Sequence, residues 1–105
     1  MIVARDTFQA KYGRGDELVA LFREIEETWN QHPHPVELFG RRILTDASGT
    51  FFTVVVEIEL ADLGAWDRFL AEEFALPEFN DWFARMIPLV ESGRREFYHI
   101  AWQSG

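Results

Sequence analysis

The hydrophobic pattern of this chain changes period along its length, and the order of those changes restricts the fold more than any other feature. Over residues 2–12, Ile2, Ala4, Phe8 and Ala10 fall on one parity and Arg5, Thr7, Gln9 and Lys11 on the other, the alternation of a half-buried strand. From Leu18 the period lengthens, and Leu18, Leu21, Phe22, Ile25 and Trp29 recur at helical spacing with acidic residues between them. Asp16 is the candidate N-cap of that helix, which Pro33 and Pro35 end near Gln31. Residues 36–46 and 50–61 are rich in β-formers and separated by Ala47-Ser48-Gly49, which reads as a hairpin. Asp62 then caps a second helix carrying Leu63, Trp66, Phe69 and Leu70. Pro77 breaks it. Proline suits the first position of a helix, so a new segment with Phe79, Trp82, Phe83, Met86 and Ile87 is expected to start there. Gly93 closes that segment, and residues 94–103 alternate again as a last strand.

The order is βαββαβ. Two βαβ halves with right-handed crossovers, joined by a hairpin, predict an α+β, ferredoxin-like arrangement, a four-stranded antiparallel sheet with its helices on one face. At 105 residues the whole chain, 1–105, is expected to form a single domain. Strand three reads Phe51-Phe52-Thr53-Val54-Val55-Val56, apolar on both parities, whereas a sheet face turned to water should alternate with polar residues. Phe51 and Val55 would join Phe39 and Ile43 in an apolar patch too large to leave exposed. A second copy of the chain, sheet against sheet, is the simplest cover.

Charge and cysteine content narrow the function classes. Asp and Glu number 18 against 10 Lys and Arg, a formal charge of -8 that disfavours nucleic acid or an anionic membrane surface as partner. The chain has no cysteine, which excludes disulfides, thiolate zinc sites and cysteine nucleophiles. The N-terminal Arg5-Asp6 pair falls where a signal peptide would be apolar, and no apolar run approaches the ~20 residues of a membrane span, so a cytoplasmic protein is expected. Gly13-Arg14-Gly15 lacks the third glycine of a phosphate-cradling loop.

The opening strand and turn, Arg5-Asp6-Thr7-Phe8-Gln9-Ala10-Lys11-Tyr12-Gly13, followed by a helix, resemble the dimeric α/β-barrel superfamily. So does the run from Pro77 to Met86, PEFNDWFARM, with Pro88 to Tyr98 after it. The likeness is to the branch of the antibiotic-biosynthesis monooxygenases and NIPSNAP-like proteins, and at the level of element order it covers the chain. It implies a homodimer through the sheets and a space between helices and sheet where a small, partly aromatic molecule binds. It fixes no single activity, since the superfamily also holds haem-degrading enzymes, lactone isomerases and polyketide cyclases. The haem-degrading branch typically has a histidine on the second helix, and residues 62–91 contain none.

Against that background the chemistry-bearing residues are few. Glu57 and Glu59 share a parity of strand three and would point two carboxylates into the barrel, with Arg5, Gln9 and Lys11 as partners. They read as a general base or as a structural ion-pair network. His32 and His34 flank Pro33 at a spacing poor for metal, and read as an exposed turn. His99 sits among Phe97, Tyr98 and Ile100; by resemblance to cyclase and isomerase members it forms an acid/base set with Tyr98 or Tyr12, although neighbours on a strand face opposite ways. The candidate catalytic residues are therefore His99, Glu57, Tyr12 and Arg5. Trp66, Phe79, Trp82 and Phe83 are the candidate pocket wall, at spacings that serve core packing equally well. Glu24, Glu26, Glu27, Glu72 and Glu73 read as solvated helix faces. No cofactor or metal is called for.

Two functions remain open on these residues. One is a dimeric α/β-barrel protein of unassigned activity, a binding or interaction module that takes a small, partly aromatic molecule between helices and sheet. The other is a cofactor-free monooxygenase, cyclase or isomerase acting on a small aromatic or polyketide-like substrate, which needs a pocket of at least ~300 Å³ where several polar groups converge. The joint at Leu76-Pro77 would act as the gate of such a pocket or as a dimer contact.

Overall fold

A computed structural model describes residues 1–33 and 36–105. Strand β1 (Ile2–Ala10) is followed by helix α1 (Gly15–Asn30), strands β2 (Arg41–Thr45) and β3 (Thr53–Leu60), helices α2 (Leu63–Ala75) and α3 (Pro77–Met86), a 3-10 turn (Ile87–Leu89) and strand β4 (Val90–His99). The strands form one antiparallel sheet in the order β2-β3-β1-β4. This is the ferredoxin-like α+β arrangement expected from the element order.

Parity sorts the sheet into two faces. Ile2, Ala4 and Phe8 of β1 stand in register with Leu60, Ile58 and Val54 of β3, and Ile43 of β2 with Val56, so all lie on one face. That face packs against Leu18, Phe22 and Trp29 of α1, Trp66 and Phe69 of α2, and Phe79, Trp82 and Met86 of α3. Leu18, Val54 and Leu60 are fully enclosed there, each contributing about 1.5–3 kcal/mol relative to exposure. The opposite face, with Val3, Arg5, Thr7, Leu44, Val55 and Glu57, carries no helix.

Local chemistry explains the boundaries. The Asp62 carboxylate accepts a hydrogen bond from the Ala65 N–H at 2.8 Å, so it caps α2 as expected. Leu76 is extended and Pro77 opens α3, also as expected. Other boundaries differ from the sequence expectation. The residue before α1 is Arg14, whose side chain makes no capping bond, and Asp16 lies in the first turn, where its negative charge favourably meets the positive end of the helix dipole. Gly13, at φ +80°, turns the chain ahead of the helix, and Gly15 packs beneath Phe52, where a Cβ would come within 3.1 Å of the ring.

The hairpin strands are shorter than expected. Phe52 adopts φ 60°, a left-handed conformation that stops β3 at Thr53 and leaves Phe51 outside the strand, 66% exposed. The expected patch of Phe51, Val55, Phe39 and Ile43 does not form on one face, because Ile43 points to the helices and Leu44 stands beside Val55 instead. β2 starts at Arg41, although the Phe39 N–H still bonds the Glu59 carbonyl. Gly93 does not close the preceding helix. It lies inside β4 opposite Phe8, whose ring would meet a Cβ at 3.0 Å, so a glycine is the residue that lets the strand pass. β4 ends at His99, short of residue 103. His34 and Pro35 lie outside the described residues.

Candidate functional site

The helix face of the sheet is not filled throughout. Phe22 and Glu26 of α1 (i, i+4), Trp66, Phe69, Leu70 and Glu73 of α2 (i, i+3, i+4, i+7), and Phe79, Trp82, Phe83 and Met86 of α3 converge over β1, β3 and β4, where helical spacing brings each set to one side. Between them lies a cavity of about 170 Å³. Its aromatic end is stiff: Phe22 packs on Phe8 and Trp82 at 5.2 Å between ring centroids, and Phe79 stacks on Trp82 at 5.5 Å. The Trp82 indole N–H donates to the Leu21 carbonyl, which fixes the ring against α1. Phe74 and Phe83 are half-exposed at the rim and reach Phe79 from the two sides of the Leu76-Pro77 joint.

The sheet side of the cavity is charged. Asp6 of β1 stands in register with Arg95 of β4, and the guanidinium donates two hydrogen bonds to the carboxylate, at 2.7 and 3.0 Å. The same guanidinium lies 4.6 Å from the centroid of the Trp66 ring, in the geometry of a cation–π contact. Glu26 pairs with Arg41 at 2.6 Å, yet burial pushes its carboxyl above the ordinary value despite that partner. The Glu73 carboxyl has no hydrogen bond or ion pair among the described residues. Burial, reinforced by Glu26 and Asp6 and opposed by Arg95, pushes its carboxyl up to about 7. The cavity thus holds one carboxyl that exchanges its proton near neutral pH.

The candidate catalytic residues do not gather in one place. Glu57 and Arg5 are joined on the helix-free face, where Arg5 Nε and Arg42 Nε each donate to a different Glu57 oxygen at 2.6 Å. Glu57 is 3% exposed; burial alone would raise its carboxyl, and the bonds from Arg42 and Arg5 outweigh it, holding it below the ordinary value. Arg5 also lies over the Tyr98 ring, 5.1 Å from its centroid. His99 pairs with Ile2 at the end of β4, so its parity is that of the helix side, and it is exposed. Tyr12 is beyond the other end of β1, 79% exposed, with its ring edge against Phe52. Lys11 also falls beyond β1, and Gln9 bonds the Phe51 carbonyl and Thr53 rather than a carboxylate. Trp66, Phe79, Trp82 and Phe83 all line the cavity. His32 stands 3.9 Å from Glu78, and among the described residues no three His, Cys, Asp or Glu side chains are placed to hold a metal ion.

The polar residues of the cavity are not those singled out from sequence. Glu26 and Glu73, read as solvated, sit four residues after Phe22 and Phe69 and therefore on the apolar stripe, which was the available signal. Asp6 carries a second signal: it is the charged residue among Ile2, Ala4 and Phe8, on the buried parity of β1.

Neither a protein-family profile nor a curated protein sequence matches the chain. Among solved structures, an uncharacterized NIPSNAP domain protein from Burkholderia xenovorans superposes with a TM-score of 0.78 at 21% identity, over 94% of this chain and 93% of that one. The shared property is the ferredoxin-like fold. A NIPSNAP family protein from Agrobacterium tumefaciens gives 0.76 at 20% identity, over 93% and 90% of the two chains. A cofactor-independent oxygenase from Streptomyces nogalater gives 0.69 at 16% identity, over 98% and 94%. Among the described residues no helix is long and apolar enough to cross a membrane.

Proposed function

We propose that this chain binds a small, single-ring aromatic molecule in the cavity between its helices and sheet. The observation that carries this reading is an aromatic-walled cavity of about 170 Å³ with an uncompensated carboxyl, Glu73, at its edge. That volume suits one ring, since an apolar cavity of about 150 Å³ holds benzene. It is smaller than the ~300 Å³ at which drug-sized ligands are housed, so a polycyclic, polyketide-like molecule fits poorly. Trp66 and Trp82 both face the space, so titration with phenol or benzyl alcohol should shift tryptophan emission saturably. Replacing Leu70 by Phe, which fills the cavity, should abolish the shift. An emission that does not saturate, or a Leu70→Phe protein that binds as well as the parent, overturns the reading.

A second reading, a cofactor-free enzyme, is favoured by the Glu73 carboxyl itself. A general base works best with a proton affinity near the operating pH, and a value of about 7 meets that condition. In this reading Glu73 takes a proton from an acidic C–H or O–H of the bound ring compound and returns it elsewhere, the step shared by monooxygenase, cyclase and isomerase chemistry. Catalysed deuterium exchange at the α-carbons of phenylacetone, lowered about 10²–10⁴-fold by Glu73→Gln, would support it. Exchange at the buffer rate would leave the protein a binder.

Assembly as a homodimer through the helix-free sheet face belongs to the same proposal, supported by Val3, Leu44, Val55 and the buried Glu57 on a face that this chain leaves uncovered. A cytoplasmic location is also part of it, supported by the cysteine-free sequence.

A further inference from the structure

We propose that the ligand of the cavity is a ring bearing a cationic amine, with the ring among Phe22, Phe79 and Trp82 and the ammonium against Glu73. This deepens the ring-binding reading and rests on it. Charge balance in this confined space favours a cation. Three carboxyl groups from three elements line the cavity, Asp6 on β1, Glu26 on α1 and Glu73 on α2, against one guanidinium, Arg95 on β4. Both hydrogen bonds of the Arg95 guanidinium go to Asp6, and none reaches Glu73. Glu26 is matched by Arg41 of β2. Helix α3 brings only Phe79, Trp82, Phe83 and Met86 to the cavity, so no cation is left for Glu73 among the described residues.

An anionic ligand would add to that imbalance. A neutral ring would leave the imbalance as it is. An ammonium corrects it. The aromatic wall is suited to the same charge, because the Arg95 guanidinium already rests over Trp66 at 4.6 Å, showing that a cation and an indole face share this space.

Such a ligand has a thermodynamic signature. A bound cation favours ionised Glu73, so below about pH 7 binding must expel the Glu73 proton, and the affinity falls as the pH is lowered. The neighbours that set this response are Asp6, Glu26 and Arg95, the other charged groups facing the cavity.

The test is calorimetric titration of the full chain with three near-isosteric probes, benzylamine, benzyl alcohol and benzoate, at pH 6 and pH 8. Benzylamine remains an ammonium at both. The expected result is binding about tenfold or more tighter for benzylamine than for benzyl alcohol at pH 8, with its own affinity about tenfold weaker at pH 6 than at pH 8. Glu73→Gln should remove both the preference and the pH dependence. The comparison of probes on the unaltered chain stands even if that variant folds poorly. Equal affinity for amine and alcohol, or a preference for benzoate, overturns the amine assignment while leaving a ring site in place. Failure of all three probes to bind overturns the ring-binding reading with it.

Discussion

Folding carries the Glu73 carboxyl from water into a space where burial and two neighbouring carboxylates oppose its charge, and its proton is held up to about 7 against an ordinary value of 4.5. Between those values the folded chain binds a proton that the unfolded chain has released, so this group costs stability as the pH rises through that window and goes on costing it above. Glu73→Gln should therefore be stabilising by about 1–3 kcal/mol at pH 8 and near neutral at pH 4.5, read as urea midpoints at the two pH values. Glu57 has the opposite sign. Held below its ordinary value by Arg5 and Arg42, it stabilises the fold above that value, and its contribution is lost as the pH falls through the lowered one. Glu57→Gln should cost about 1–3 kcal/mol at pH 7, and the difference from the parent should shrink on acidification; an undiminished difference in acid would contradict the ion-pair account. At this scale the site is half legible in the sequence. The ring positions show because helical spacing marks Trp66, Phe79 and Trp82, whereas the Glu57–Arg42 pair depends on strand register, which the alternation of residues alone does not fix.

Among the elements, α2 shows most directly how a local signal becomes a boundary. Its N-terminal N–H groups have one side-chain acceptor, the Asp62 carboxylate, and the helix then runs to the Leu76-Pro77 break. Asp62→Ala should lower stability by about 1 kcal/mol with an unchanged denaturant slope, because the helix frays without exposing new core. Element order, the α2 cap and the proline start of α3 could all be read from residue types, since each depends on chemistry within a few positions. The start of β3 and the extent of β4 could not. Phe52 at φ 60° runs against the preference of an aromatic residue, and Gly93 reads as a helix stop until the register sets Phe8 across from it. Both boundaries are decided by contacts between distant segments.

For the whole molecule, the uncovered sheet face sets the expectation about assembly. Light scattering at micromolar concentration should give about twice the 12.3 kDa of one chain, and Val55→Glu, which adds a third carboxylate beside Glu57 and Glu59, should return it to the mass of one. A parent protein that runs at one chain's mass would remove the sheet-to-sheet dimer. The break at Leu76-Pro77 has a consequence of a different kind, for how such a molecule can diversify. In an unbroken helix, one inserted residue turns everything after it by about 100° and scrambles the entire buried face. Here Glu73 lies before the joint and Phe79, Trp82 and Met86 after it, so α3 can gain, lose or exchange residues without rotating the acid-bearing face of α2. The position of the Glu73 carboxyl and the shape of the aromatic wall can thus change independently of one another.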